Sequence, residues 1–337
     1  MVRGPEFAEV VLVDVCDLLS IERPVLQGAM GGIARHDLVV AVSQAGGLGT
    51  LGYLPPDGFA RELERIQDSL EGRTFAANLL MPIIRKAHVE ACLNSSVTIV
   101  TVFYGFDHRI LSALKDAGKT VIFQVGSLAE AQKVITAGAD GVIVQGFEAG
   151  GHVRGTKRLA DLLPEIRDAF PNHLVCGAGG IHDKQSADAC RALGADAVCS
   201  GTRFLASPEA SAHRAYTEQL SKATETIVTN LFGVGWRDPH RVIPNAATRK
   251  WCRADGREPP WLPMVHAGTR IASRLRRADG AAKMTARQSL SAPLYTPASL
   301  TPEMDAALLD VVALYAGECT RWIDDVQPAA RTVQELS

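Results

Sequence analysis

From about residue 24 to residue 221 the chain alternates short apolar runs with longer amphipathic stretches. The short runs read as strands over 25–28, 48–53, 75–80, 97–103, 121–125, 141–145, 174–178 and 197–201. The stretches between them include 59-FARELERIQDSL-70, 108-HRILSALKDAG-118, 127-SLAEAQKVITAG-138 and 183-DKQSADACRALG-194. These carry helical periodicity, and several end in Gly, as helix C-termini often do. Eight strand–helix units of about 25 residues suit a closed, eight-stranded parallel barrel. An internal echo, 137-AGADGVIV-144 and 193-LGADAVCS-200, marks repeated units but does not separate a barrel from an open doubly wound sheet. The fold class expected is α/β, a (β/α)8 TIM barrel with a C-terminal extension that is mostly helical or irregular.

The alternation stops after about residue 221. The segment 230–291 is rich in Arg, Pro and Trp and reads as an irregular or short-helical lid. The pattern over 302–326 is amphipathic and predicts a helix that packs back on the barrel. Two regions follow: a barrel over 18–220, and a lid segment with a packing helix over 221–337.

Composition narrows the class. A 337-residue chain with 47% hydrophobic and 21% charged residues can bury a sizeable core. A net charge of -2 carries no basic excess, which argues against nucleic acid and acidic membrane surfaces as partners. No apolar run is long enough to span a bilayer, and 1-MVRGPEFAEVVLVDVC-16 does not read as a signal peptide. The seven cysteines are Cys16, Cys92, Cys176, Cys190, Cys199, Cys252 and Cys319. They are odd in number and form no CxxC, which argues against a disulfide framework or a zinc site and for a reducing, cytoplasmic compartment. No HxH, HxxxH or HExxH occurs, so no metal site is expected.

Gly47, Gly49 and Gly52 form a GxGxxG. A dinucleotide fingerprint must follow a strand and open a helix. Here a helical pattern precedes the glycines and Pro55-Pro56 follows them, so a helix end and close strand packing explain them better.

In a barrel of this kind the chemistry lies after the strands. Gly177, Gly179 and Gly180 follow the seventh predicted strand, and Gly201 and Thr202 follow the eighth. Backbone N–H groups there suit a phosphate, although the same glycines also serve plain tight turns. The glycines of 28-GAMGG-32 would let a flat ring approach backbone, and Asn78 and Gln124 offer amides to its edge. Singly, each of these amides is more often an ordinary strand-end residue. His152 follows Gly150 and Gly151 in a strand-end loop beside Glu148. It is the candidate acid/base or anion partner, expected to titrate near neutrality, with His182 as its rival. His240 and His266 have no supporting context in the sequence.

The pieces 24-PVLQGAMGG-32, 44-QAGGLGTLG-52, 75-FAANLLMP-82, 145-QGFEAGGHVRG-155, 177-GAGGI-181 and 200-SGTRF-204 resemble the nitronate monooxygenase family, once called 2-nitropropane dioxygenases. This family is related to bacterial FMN-dependent enoyl-acyl-carrier-protein reductases and, more distantly, to IMP dehydrogenase barrels. The resemblance covers roughly residues 18–220 and, more weakly, 314–333. It implies FMN, with Gly28, Ala29 and Met30 beside the isoalloxazine. Asn78 and Gln124 would contact its ring or ribityl chain, and Gly150 and Gly151 would lie near it. Gly179, Gly180, Gly201 and Thr202 would hold the phosphate, and His152 matches the family's active-site histidine. The implied reaction oxidises alkyl nitronates with O2 to a carbonyl compound and nitrite. An NAD(P)H-dependent FMN reductase of quinones or enoyl thioesters is the alternative. The implied partners are a small molecule and O2, without nucleic acid or membrane, and a homodimer is admitted. Two departures stand out: Gln124, where some relatives carry Lys, and the segment 237–277, which matches no family motif.

Overall fold

The computed structural model describes residues 14–274 and 280–337, so residues 1–13, most of the stretch that does not read as a signal peptide, lie outside the described residues. The strands are β1 (Val25–Gln27), β2 (Thr50–Leu51), β3 (Ala76–Leu80), β4 (Ile99–Phe103), β5 (Thr120–Val125), β6 (Gly141–Gln145), β7 (Gly151–His152), β8 (Leu174–Ala178), β9 (Ala197–Ser200), β10 (Ile227–Thr229) and β11 (His240–Val242). Eight of them pair in parallel in the order β1-β9-β8-β6-β5-β4-β3-β2. The ring closes between β1 and the residues before β2. Leu48 bridges Leu26, the Gln27 N–H donates to Leu48 O at 2.9 Å, and the Leu48 N–H donates to Val25 O at 2.9 Å. This is the (β/α)8 barrel expected. Only β5 starts earlier than its predicted run, at Thr120.

Side chains alternate between two cores, as a pleated strand requires. Leu26, Ala76, Ile99, Ile122, Ile143, Cys176 and Cys199 fill the barrel interior. Val25, Ala77, Val100, Phe123, Val142, Val175 and Val198 face the helices outside. The helix Val15–Leu19 plugs the floor with Val15 and Leu19. Outside, the helix Pro56–Leu70 shows how the pattern folds: Phe59, Leu63, Ile66 and Leu70 make one buried stripe.

The echoed Ala-Asp has a physical cause. The Asp140 carboxylate accepts the Val121 N–H at 2.7 Å and pairs with Lys115 at 2.5 Å. Asp196 does the same two units on, accepting the Val175 N–H at 2.8 Å and pairing with Arg167 at 2.5 Å. Each aspartate ties a helix to the start of the preceding strand.

The region beyond 221 is more regular than the composition suggests. β10, β11 and β7 form an antiparallel sheet in the order β10-β11-β7, with His240 opposite His152. The helices Ala246–Trp251, Leu262–Arg274 and Gly280–Thr285 follow. The helix expected over 302–326 does not form. Two 3-10 turns, Ala306–Asp310 and Glu318–Trp322, flank an extended stretch in which Tyr315 bridges Val242 and the Ile243 N–H donates to Leu314 O at 2.8 Å. The reason is burial: Val311, Val312, Ala313, Leu314 and Ala316 are all enclosed, and one helical face could not enclose them together. The helix that packs on the barrel is Ala329–Glu335, through Ala329 and Val333. No helix among the described residues is long and apolar enough to cross a membrane.

Candidate active site

The carboxyl ends of the strands open onto a cavity of about 1140 Å3, a volume that includes its open mouth. Most of the site residues nominated from the sequence line it, but Gly32, Gly177 and the rival His182 do not. Gly28, Ala29 and Met30 come from the loop after β1, and Asn78 and Gln124 from β3 and β5. Gly150, Gly151 and His152 follow β6, Gly179 and Gly180 follow β8, and Gly201 and Thr202 follow β9. The region beyond 221 adds Ser299, Tyr315, Gly317 and Cys319.

Strand alternation places the amides. Ala76, Ile122 and Ile143 point into the barrel, so Asn78, Gln124 and Gln145, two residues on, point inward one layer higher. Asn78 Nδ2 donates to Thr101 Oγ1 at 2.9 Å, which orients its amide. Gln145 was not nominated from the sequence, although a single polar residue closing an apolar run was a legible signal. Its Nε2 donates to His152 O at 2.8 Å and its Oε1 accepts the Arg154 N–H at 2.9 Å. One buried side chain thus fixes the backbone on both sides of Val153.

His152 sits in an aromatic setting. Its ring stacks on Trp236, with centroids 3.9 Å apart and 6° between planes. Tyr104 meets it edge-on at 5.7 Å, Tyr315 lies at 5.6 Å and His240 crosses it at 4.8 Å. Tyr104 holds a left-handed backbone (φ 62) and donates its hydroxyl to Val153 O at 3.0 Å. His152 Nε2 is buried with no hydrogen-bond partner. Burial pushes its pKa down to about 3, so the imidazole is neutral at pH 7 and does not titrate near neutrality as expected. Glu148 does not pair with it. That carboxylate turns away and accepts the Leu159 N–H at 3.1 Å, at the start of the helix Leu159–Ala169. No carboxylate, Lys or Arg lines the cavity among the described residues.

The glycines divide by cause. At Gly201 and Gly151 an added Cβ meets nothing within 4 Å, and both residues line the cavity. Gly179 (φ +127) and Gly180 (φ +74) adopt backbone that favours glycine. Gly150 serves packing, since a Cβ there would come within 2.5 Å of Ala316 backbone. Gly177 is also a packing glycine: a Cβ would lie 2.2 Å from Cys190 Sγ, and the residue is absent from the cavity wall. The GxGxxG is packing too, with Gly49 and Gly52 pressed against the backbone oxygens of Val39 and Met30. His182 stands outside the cavity wall, bonded through Nδ1 to Gly180 O at 2.9 Å and stacked on Trp322.

The chain is 31% identical over 242 residues to a protein of Mycobacterium tuberculosis described as (3aS,4S,5R,7aS)-5-hydroxy-7a-methyl-1-oxo-octahydro-1H-indene-4-carboxyl-CoA dehydrogenase. That match takes in 69% of this chain and 66% of the relative, a little under two thirds of its length. Among solved structures, FabK from Thermotoga maritima superposes with a TM-score of 0.74 at 29% identity, covering 96% of this chain and 94% of that one. Nitroalkane oxidase from Streptomyces ansochromogenes superposes equally, at a TM-score of 0.74 and 28% identity, covering 96% of each chain. The family model described as nitronate monooxygenase matches residues 14–91 and 80–337, and the chain therefore belongs to the nitronate monooxygenase family of flavin-dependent oxidoreductases.

Proposed function

We propose that this chain is an FMN-dependent nitronate monooxygenase, oxidising small alkyl nitronates with O2 to a carbonyl compound and nitrite. The observation that carries the reading is that His152 is the one imidazole in an otherwise uncharged cavity wall, among the described residues. FMN suits that cavity. Gly201 opens into space where a side chain would intrude, Gly179 and Gly180 offer positive-φ backbone, and Gln124 makes no side-chain hydrogen bond within the described protein. Gly179, Gly180, Gly201 and Thr202 would hold the phosphate by backbone N–H groups. Gly28, Ala29 and Met30 would lie along the ring, with the amides of Asn78 and Gln124 at its edge. When bound, FMN supplies the electron acceptor and the reaction with O2.

The protein's own residues handle position and the proton. A neutral His152 can accept the α-proton of a neutral nitroalkane, forming an imidazolium beside the nitronate. With no other charge on the cavity wall among the described residues, that ion pair is weakly screened and mutually stabilising. We assign residues 18–220 to the barrel and 221–337 to a lid that shapes access through Ser299, Tyr315 and Cys319. All seven cysteines are free, which suits a reducing cytoplasm.

The equal superposition on FabK favours one second reading, an NAD(P)H-dependent FMN reductase. Anaerobic mixing with an alkyl nitronate separates the two. Bleaching of the visible flavin band supports the monooxygenase. A band that ignores nitronate and bleaches with NADH or NADPH supports the reductase, and no flavin band overturns both.

A further inference from the structure

His152 lacks the partner that a working imidazole ordinarily has, a carboxylate or carbonyl that fixes its tautomer. Glu148 is turned to the Leu159 N–H, and no hydrogen bond reaches the His152 ring from the described residues. In the place of an orienting group stands His240. β7 and β11 pair antiparallel with His240 directly opposite His152, so both side chains leave the ladder on the same face. The rings cross at 4.8 Å and 86°. His240 is fully buried, and neither of its ring nitrogens has a partner.

Two adjacent buried imidazoles with three orphaned nitrogens between them are costly to leave so. A small rotation of either ring, or one bridging water, would bring a nitrogen of each within hydrogen-bond reach. We propose that His240 is a positioning residue for His152: the two imidazoles act as a pair that shares one proton, His240 accepting the N–H of His152 once His152 is protonated. The proton step balances simply. The substrate C–H bond breaks, its electron pair stays on the substrate, and an N–H bond forms on His152.

A second proton does not enter, because like charges this close cannot both form. The other groups around His240 agree. It faces the rings of Tyr315 and Phe232, and electrostatically it meets His152, His266 from the helix Leu262–Arg274, and Glu258 from the loop before that helix. Glu258 is held by Arg237 at 2.8 Å, and Asp238 by the Trp236 indole N–H, so neither carboxylate competes as the partner of His152.

The inference rests on His152 being the acid/base group of the cavity, and its test is independent of turnover. The imidazole nitrogens of the flavin-loaded enzyme are followed by 15N NMR while nitrate, an unreactive planar anion, is added across a pH series. The expected result is a single proton taken up, with the His152 and His240 signals moving together. In His240→Phe the protonation of His152 should shift by about one pH unit to lower pH, tenfold in anion affinity at fixed pH, and His240→Gln should restore part of it. His152 titrating alone in the wild type, with His240 unmoved, overturns the pair even if neither variant folds. The pH profile of nitroalkane oxidation completes the test. If the signals move together but no nitroalkane is oxidised, the pair stands and the proposed reaction falls. If nitroalkane is oxidised with a profile that His240→Phe leaves in place, the reaction stands and the pair falls.

Discussion

At the residue scale, two substitutions should separate chemistry from cofactor retention. His152→Ala removes the only imidazole on the cavity wall among the described residues while leaving the glycine loops intact. It should keep its flavin and lose about 10²- to 10⁴-fold in nitroalkane turnover, the usual worth of a positioned acid/base group. Gly201→Asp should do the reverse. Gly201 has a φ of -109, and a Cβ there meets nothing within 4 Å, so the backbone accepts the change without strain. The new carboxylate would stand against the proposed phosphate position, and Gly201→Ala is the control for space alone. Flavin content after desalting and steady-state rates are the readouts. A flavin-loaded Gly201→Asp would show that the anionic end lies elsewhere. Gly179 is a poorer test, because its φ of +127 strains any side chain and would confuse folding with binding.

At the scale of elements, Gln145 links the barrel to the loop that carries His152. It accepts the Arg154 N–H and donates to His152 O from a buried position at the end of β6. Gln145→Leu keeps the volume but strands two backbone groups, each worth about 1–3 kcal/mol where water cannot reach. The expected result is a lower melting temperature together with a fall in kcat larger than any change in flavin affinity. Unchanged kcat would mean that β11 alone holds β7 in place. The same contrast explains what was legible in the sequence. The eight barrel strands are apolar runs with a period of two, so Asn78 and Gln124 could be placed at strand ends without coordinates. β7 has only two residues, too few to show any period, and its partner His240 lies far along the chain in a segment without a family motif. Trp236 and Tyr104 were missed for that reason of distance, since each reaches His152 through tertiary contact. The stretch 311–317 misled because a run buried on all sides looks like one face of a helix until its neighbours are known.

At the scale of the whole molecule, burial of neutral histidines makes stability depend on pH. His152, His240 and His266 all have pKa values lowered chiefly by desolvation, with His152 near 3 and His266 near 4. In the unfolded chain each titrates near 6.5. Between 6.5 and the folded value the unfolded state therefore binds more protons, so stability rises with pH across that window. The contribution is complete above about 6.5 and is lost as pH falls toward 4 for His266 and toward 3 for His152. Carboxylates such as Glu318 and Glu335, whose pKa values are lowered in the fold, act in the same direction but only below about 4.5, while Asp238, raised by burial, acts in the opposite direction, so the histidine contribution at pH 5 to 6.5 is read as a difference between wild type and a histidine variant. One proton in that window is worth about 1.4 kcal/mol per pH unit, a sizeable part of a total of about 5–15 kcal/mol. His266 gives the cleanest test. It is buried, both ring nitrogens lack partners, and it is absent from the cavity wall. His266→Leu should melt higher than wild type at pH 5, and its melting temperature should fall less between pH 6.5 and pH 5. Flavin release followed over the same range adds the location. His152 and His240 lie where the β10-β11-β7 sheet meets the loop after β6, and His266, on the helix Leu262–Arg274, acts electrostatically on His240, so acid should loosen the proposed lid and release flavin before the barrel melts. Parallel pH slopes for wild type and His266→Leu would mean that His266 finds a proton partner in solution, and that the lid is not held by neutral burial.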